Sequence, residues 1–275
     1  MKKVVTVSLG SSKQDFKFET DFLGHRFQVQ RLGADDDVGK AWELMRRQQA
    51  SADAIGLGEV GDHYRVGQDT RINKETHRLL NVVTRVPATT GATLRRLLQV
   101  RAVRHVQNEL GNYFNNNLVL FLSGMRNYDM AVAMSDYTPN LKFADALAQT
   151  RTPTMLTSLT QLELYAKGSD WALSGRPGEM LEAALSGFKS SRIAAEVAKA
   201  HVIVGTFHEL QGVGDAKNLA GKTVITSAVD ETRLAFFKQC KVNLVVDVSP
   251  QLFDRVIGTN VIEAMILAAL GKPPE

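Results

Sequence analysis

The segment Asn117–Asp145 constrains the fold of this chain more than any other. Leu118-Val-Leu-Phe-Leu122 is a run of large apolar residues, too short for a helix of its own and suited to a strand buried on both faces. Ser123-Gly-Met-Arg-Asn-Tyr-Asp129 follows as a polar turn, and Met130-Ala-Val-Ala-Met134 opens a helix. Leu141-Lys-Phe-Ala-Asp145 reads as the next strand, ending in a carboxylate about 20 residues beyond Gly124. That is the layout of a mononucleotide-binding βαβ unit. In such a unit pyrophosphate sits on backbone N–H groups at the helix N-terminus, and the acid hydrogen-bonds the ribose hydroxyls.

The turn carries candidate cofactor-binding residues Ser123, Gly124, Met125 and Arg126, with Asp145 for the ribose and Thr206 from a later strand end. A free acid at 145 favours the unphosphorylated ribose of NAD and repels the 2′-phosphate of NADP. The G-x-G-x-x-G spacing is absent, however. Only Gly124 stands in the turn, and Arg126, Asn127 and Tyr128 occupy positions where a dinucleotide meets bare backbone. Arg126 could pair with a phosphate, whereas Asp129 would oppose one. The same segment therefore also fits a Rossmann-like βαβ unit that binds no dinucleotide at this turn.

At 275 residues the chain can bury a large core, and its length supports one to two domains. The single cysteine, Cys240, excludes an internal disulfide framework and a cysteine-based zinc site, and fits a reducing compartment. The first residues, Met1-Lys-Lys-Val-Val-Thr-Val7, enter a strand with no signal-peptide layout, and no uncharged apolar run reaches the roughly 18 residues of a membrane span. A cytoplasmic protein with no membrane partner is the expectation. The net charge of +4 is too mild to predict nucleic-acid binding. Positive residues do crowd one segment: Arg71, Lys74, Arg78, Arg85, Arg95, Arg96, Arg101 and Arg104. A solvated helix face accounts for them; attraction of an anionic small molecule is the functional alternative. Nucleic acid is not expected, because aromatic residues are not interleaved with the charges.

Along the chain, Val4–Ser8 alternates as a strand and runs into the small-residue loop Leu9–Ser12. Phe16–Phe18 and Phe27–Arg31 are predicted strands around a turn near Leu23-Gly-His25. Asp35-Asp-Asp37 caps a predicted helix through Arg47, Ala54–Gly58 is a buried strand ending at Glu59, and Asn73–Val83 is helical. Val86 opens a short strand, Thr89–Thr93 is a loop, and Leu94–Leu110 is a long helix. Gly111–Asn117 ends that helix and marks the expected boundary between an N-terminal α/β domain, 1–112, and a Rossmann-like domain, 113–275.

Beyond Asp145, Gly168-Ser-Asp170 and Ser174–Gly178 read as loop and Glu179–Ala200 as helix. His201–Val204, Thr223–Thr226 and Leu244–Asp247 are three further short strands, with a helix at Thr232–Lys238. The apolar helix 258–270 closes the chain, stopped by Gly271 and Pro273. It could pack back on the N-terminal lobe or cover a homo-oligomer interface. Alternating strands and helices imply an α/β fold of two lobes with a mostly parallel sheet and a cleft between the lobes. Ligands bind such sheets beyond the carboxyl ends of the strands.

Several of these pieces, in this order, carry a resemblance. Val5-Thr-Val-Ser-Leu-Gly-Ser-Ser12, Ala54-Ile-Gly-Leu-Gly58, Asp129-Met-Ala131, Phe143-Ala-Asp145, Gly205-Thr-Phe-His208 and Gly258-Thr-Asn-Val-Ile-Glu263 span nearly the whole sequence. With them the chain resembles the bacterial proteins labelled quinate 5-dehydrogenase-like, or Rossmann-fold dehydrogenases. The resemblance implies a dinucleotide-dependent oxidoreductase of two lobes. The Asn- and Lys-bearing motifs that hold the Lys–Asp pair of shikimate and quinate dehydrogenases have no match here, which leaves the substrate open.

The catalytic candidates are His208 and Glu59. A histidine just past a buried strand can relay a proton to a carbonyl or alcohol, since its unperturbed pKa lies near 6.5. Glu59, after Gly-Leu-Gly, can act as a base or accept a substrate hydroxyl. Both also fit ordinary loop residues. Ser11, Ser12, Thr89, Thr90, Gly91 and Asn260 are candidate substrate-binding residues in the small-residue loops, and Glu263 lies one turn beyond Asn260 as an exposed charge. No nucleophile elbow is present. His25, His63, His77, His105, His201 and His208 show no metal-ligand spacing, so no metal is expected. Two readings follow: an NAD(P)-dependent oxidoreductase on a small polar or carboxylated alcohol or carbonyl compound, or a Rossmann-like small-ligand-binding protein or non-redox enzyme, a lyase or transferase.

Overall fold

A computed structural model describes residues 1–61, 63–149, 154–173, 188–213, 218–250, 252–253 and 256–271. In chain order come β1 (Lys2–Ser8), β2 (Phe16–Phe22), β3 (His25–Gly33), α1 (Val38–Gln48), β4 (Ala54–Gly58), β5 (His63–Val66), β6 (Asp69–Ile72), α2 (Lys74–Asn81), β7 (Ala88–Thr89) and α3 (Ala92–Glu109). There follow β8 (Val119–Phe121), α4 (Tyr128–Ser135), β9 (Leu141–Phe143), α5 (Asp145–Gln149), α6 (Leu159–Leu173) and α7 (Phe188–Lys199). The last elements are β10 (Val202–Val204), α8 (Phe207–Val213), β11 (Thr223–Thr226), α9 (Glu231–Gln239), β12 (Leu244–Asp247) and α10 (Thr259–Leu270). They fall into two compact units: Met1–His63, Arg71–Arg95 and Pro250–Glu275 in the first, Tyr64–Thr70 and Arg96–Ser249 in the second.

The sheet of the first unit has the order β2-β3-β1-β4-β7, parallel except for β2. Leu23 and Gly24 turn β2 into β3 with φ of 48° and 74°, the hand that matches strand twist in a two-residue hairpin. The sheet is covered on both faces, which is why Ala54–Gly58 carries no alternation. Val5, Val7, Ile55 and Leu57 pack with Ala41 and Met45 of α1 and Leu79 of α2. Val4, Val29 and Ala54 pack with Val261, Ile262 and Met265 of α10. The Asp37 carboxylate accepts the Lys40 N–H at 3.0 Å and starts α1; the Asn73 carboxamide oxygen does the same for α2 through Glu75. Gly271, at φ 62°, ends α10 in the left-handed conformation.

The sheet of the second unit is wholly parallel, in the order β12-β11-β10-β8-β9. Counted within the unit, the strands run 5-4-3-1-2. This is a doubly wound sheet whose order reverses between β8 and β10. Alternate residues of each strand serve two cores. Val119, Phe121, Val204 and Ile225 join Met130 and Met134 of α4, while Leu120, Ile203 and Val224 join Val197 of α7, Leu210 of α8 and Phe237 of α9. The α/β fold with a Rossmann-like parallel sheet is therefore as expected.

One element was missed and two local expectations need correction. The β5–β6 hairpin was not legible, because its four-residue strands are mostly polar; Gly67, at φ 60°, makes its turn. Gly168-Ser-Asp170 lies inside α6 and not in a loop. Burial of Leu162 and Ala166 on that helix outweighs the roughly 1 kcal/mol that a helical glycine costs. The strand expected at Val86 begins at Ala88, since Pro87 precedes it. Ser174–Gly178 and the first part of the helix expected from Glu179 lie outside the described residues, and α7 is seen from Phe188. Among the described residues, no helix is long and apolar enough to cross a membrane.

Candidate functional sites at two sheet edges

In the second unit the strand ends at the reversal of order bring together residues far apart in sequence. β9 stops at Phe143, so Asp145 is not the end of a strand but the first residue of α5. Its side chain is turned inward and the residue is 1% exposed. One carboxylate oxygen accepts the Gly124 N–H at 2.8 Å and the other the Met125 N–H at 3.0 Å. The Asn127 N–H donates to the Gly124 carbonyl at 3.1 Å. Three amides of the turn expected to receive pyrophosphate are thus satisfied from within, and the acid expected at the ribose satisfies two of them. Burial pushes the Asp145 carboxyl up to about 7; the Met125 and Gly124 amides oppose the shift and the charge of Glu209 adds to it.

Gly124 is required at its position by close approach. A β-carbon there would stand 2.4 Å from the Phe143 ring and 2.8 Å from an Asp145 oxygen.

Ser123 and Thr206 are brought together through a residue that sequence reasoning passed over, Glu209. This glutamate is 3% exposed. Ser123 Oγ donates to one of its oxygens, and the Thr206 N–H donates to the other at 2.7 Å, with Thr206 Oγ1 at 3.0 Å. The Glu209 N–H returns a bond to Thr206 Oγ1 at 3.3 Å, completing a reciprocal capping box at the start of α8. The Thr-x-x-Glu spacing was the available signal. Ser123 lies outside that motif, and only the adjacency of β8 and β10 brings it in.

His208 stands on the first turn of α8 and not in a loop, with its side chain exposed. Asp129 is held by Arg96, whose Nε lies 2.7 Å from it, so it is not a free charge opposing a phosphate. Arg126 is half-buried in the same turn.

In the first unit the carboxyl edges of β3, β1 and β4 surround Arg31, which is 7% exposed. Its guanidinium donates to the Ser11 carbonyl at 2.9 Å, Asp15 at 3.1 Å, Ser8 Oγ at 3.0 Å and Glu59 at 3.2 Å. Nothing in the sequence pattern marks Arg31, a strand residue like its neighbours. Ser11 caps the single helical turn Ser12–Gln14 through Lys13, and the Ser12 N–H donates to Asp35 at 2.6 Å. Lys40 and Ser12 together hold the Asp35 carboxyl well below the usual carboxylate range. Replacing Arg31 with methionine is expected to destabilise the protein by about 2 kcal/mol in urea titration, since Asp15 and Glu59 lose their cation but are partly solvated.

Thr89, Thr90, Gly91 and Asn260 also meet in the first unit. Thr89 Oγ1 donates to Glu263 at 2.6 Å, and Glu263 accepts the Leu94 N–H at 2.6 Å. Glu263 is therefore not the exposed charge expected: it caps the start of α3 from another helix. Thr90 Oγ1 lies 2.8 Å from His63 Nδ1. Burial and the Arg95 cation hold that histidine below its ordinary pKa. Arg95 donates to the His63 carbonyl at 2.6 Å, so part of the arginine-rich segment is structural.

No group of three or more His, Cys, Asp or Glu among the described residues could hold a metal ion. No curated protein matches the sequence. Among solved structures, an NAD-dependent malic enzyme from Thermotoga maritima aligns over 93% of this chain and 68% of its own, at 11% identity and a TM-score of 0.39. A protein from Mycobacterium smegmatis in complex with β-D-fucofuranose aligns over 99% of this chain and 87% of its own, at 12% identity and a TM-score of 0.41. Aspartate transcarbamoylase from Trypanosoma cruzi aligns over 100% and 83%, at 10% identity and a TM-score of 0.33. None of these likenesses bears on what this chain binds.

Residues 3–90 match the family described as Domain of unknown function (DUF8753). Residues 93–275 match Domain of unknown function (DUF8754). That second match takes in more than half of the chain, including the parallel sheet of the second unit, the Ser123–Glu209–Thr206 junction and α10, and the chain belongs to the DUF8754 family.

Proposed function

We propose that this protein is an NAD(P)-dependent oxidoreductase acting on a small polar or carboxylated alcohol or carbonyl compound, with the nucleotide on the second unit. The observation that carries this reading is the strand order β12-β11-β10-β8-β9, which reverses between β8 and β10 with the loops 123–129 and 205–208 on either side. Sheets of this kind bind ligands at that reversal. NAD is favoured over NADP once Asp145 turns from the Gly124 and Met125 amides to the ribose, because its carboxylate would then oppose a 2′-phosphate. For pyrophosphate to reach the Gly124 and Met125 amides, Asp145 must first release them. His208, exposed one residue before Glu209, is the proton-transfer candidate, and the partner is a small molecule, with no nucleic acid or membrane involved.

A second reading has its own observation. With the Gly124 and Met125 amides occupied by Asp145, those two seats are closed to an anion, and the protein would then be a small-ligand-binding protein or a lyase or transferase without a dinucleotide. Calorimetric titration with NAD, NADH, NADP and NADPH at matched ionic strength separates the two. Micromolar binding of the NAD pair, with weaker binding of the NADP pair, is expected from the first. Absence of heat with all four selects the second. If the first holds, His208→Ala should lower turnover about a hundredfold or more while leaving nucleotide affinity unchanged.

A further inference from the structure

We infer that the first unit holds a separate small-ligand site where Glu59 faces the first turn of α10, and that its ligand carries an ammonium group beside a carboxylate, as an α-amino acid does. This site is independent of any nucleotide on the second unit.

The register of the sheet places the groups. Thr6 of β1 pairs with Gly56 of β4 and with Arg31 of β3, and Ser8 pairs with Gly58, so these residues share one face. On that face the apolar residues Val4 and Ala54 give way toward the carboxyl edge to hydroxyls, a guanidinium and two glycines. Asn260 lies over the glycines: a β-carbon at 58 would be 2.9 Å from its Nδ2, and one at 56 would be 2.9 Å from its carbonyl oxygen and 2.8 Å from Thr6 Oγ1.

Three polar groups around these glycines have bonding capacity to spare. Thr6 Oγ1 is buried with no hydrogen-bond partner among the described residues. The Asn260 carboxamide likewise has none among them. Glu59 spends one oxygen on Arg31, and the other lies over Gly10. Native proteins rarely leave a buried group such as Thr6 Oγ1 unmet without a ligand, water or mechanism to answer for it. Glu59 is also held at φ 50°, in the left-handed region that favours glycine. Backbone strain of this kind clusters at ligand sites.

Charge decides the chemistry. One cation, Arg31, serves two carboxylates, Asp15 and Glu59, so one negative charge is in excess, and the Glu59 side chain is 54% exposed. A plain carboxylic acid would add a second negative charge there; an ammonium group would cancel the first. Beside Gly58, α10 starts at Gly258 with no side-chain cap; its Asn260 nitrogen packs against Gly91, and the positive end of this 12-residue helix adds to the Asn260 carboxamide. That end suits a carboxylate. A zwitterion meets both sides, its ammonium on Glu59 and its carboxylate at Asn260.

The test is calorimetric titration of the full chain with L-alanine, L-lactate and ethylamine at pH 7. L-Lactate keeps the carboxylate and lacks the ammonium; ethylamine does the reverse. L-Alanine is expected to bind at least about tenfold more tightly than either, and Glu59→Gln and Asn260→Ala are each expected to weaken it about tenfold. Equal or tighter binding of L-lactate, or no binding of all three at millimolar concentration, overturns the proposal. The comparison of the three compounds on the unaltered protein stands even if a variant folds poorly. NAD titration on the same sample reports separately on the second unit.

Discussion

Gly91→Ala should destabilise the protein by about 3 kcal/mol or more, measured by urea denaturation, because the added methyl forces α10 away from its sheet. Gly91 has φ 75°, and a β-carbon there would stand 2.2 Å from the Asn260 nitrogen and 2.5 Å from the Thr259 carbonyl carbon. Both are backbone atoms of the first turn of α10, which cannot swing aside as a side chain can. Moving that turn loosens Val261, Ile262 and Met265 from Val4, Val29 and Ala54. Gly24 is the internal control. It has nearly the same φ, 74°, but nothing within 4 Å of the added carbon, so Gly24→Ala should cost only about 1 kcal/mol of backbone strain. Equal losses in the two variants would show that α10 does not press on Gly91.

The second large effect is at Asp145. Asp145→Ala leaves the Gly124 and Met125 amides buried without acceptors, and about 2–4 kcal/mol of stability should be lost. Asp145→Asn keeps the volume but removes the charge, and its value lies in the pH dependence. The folded-state pKa, about 7, is raised above the ordinary 3.8. Between those values the native state holds a proton that the unfolded state has released. The wild type therefore loses stability from this group as pH rises from about 4 to about 7, and the slope ends above that. His63 acts in the opposite sense, since its pKa is lowered on folding, but its contribution cancels when variant and wild type are subtracted. Relative to the wild type, Asp145→Asn should thus gain about 2 kcal/mol between pH 5 and pH 7. A flat difference would show that the two amide hydrogen bonds keep Asp145 ionised despite its burial.

Much of the layout was legible because local rules and global fold agree. Short apolar runs such as Leu118–Leu122 and His201–Val204 announced strands buried on both faces, and Asp37, Asn73 and Gly271 announced helix ends through capping chemistry. The polar β5–β6 hairpin had no such signal. The site residues divide in the same way. Ser123, Thr206, Glu59 and Asn260 do lie at carboxyl edges of strands or against them, as an alternating β–α pattern requires. Ser11 and Ser12 lie in the loop after β1, where they cap one helical turn and bind Arg31 and Asp35 from β3 and the loop beyond it.

Most element types, a mostly parallel sheet and the loops at which a ligand could sit follow from the sequence alone, since hydrophobic period and capping are properties of neighbours along the chain. Direction and partnership of polar side chains were settled only in three dimensions. Asp145 could be placed at the right distance from Gly124, but whether its carboxylate faces a ribose or its own turn depends on how the Gly124 turn packs against Phe143 and Leu162. Arg31, Glu209 and Glu263 owe their roles to residues 28, 86 and 174 positions away, and no local pattern carries contacts of that span.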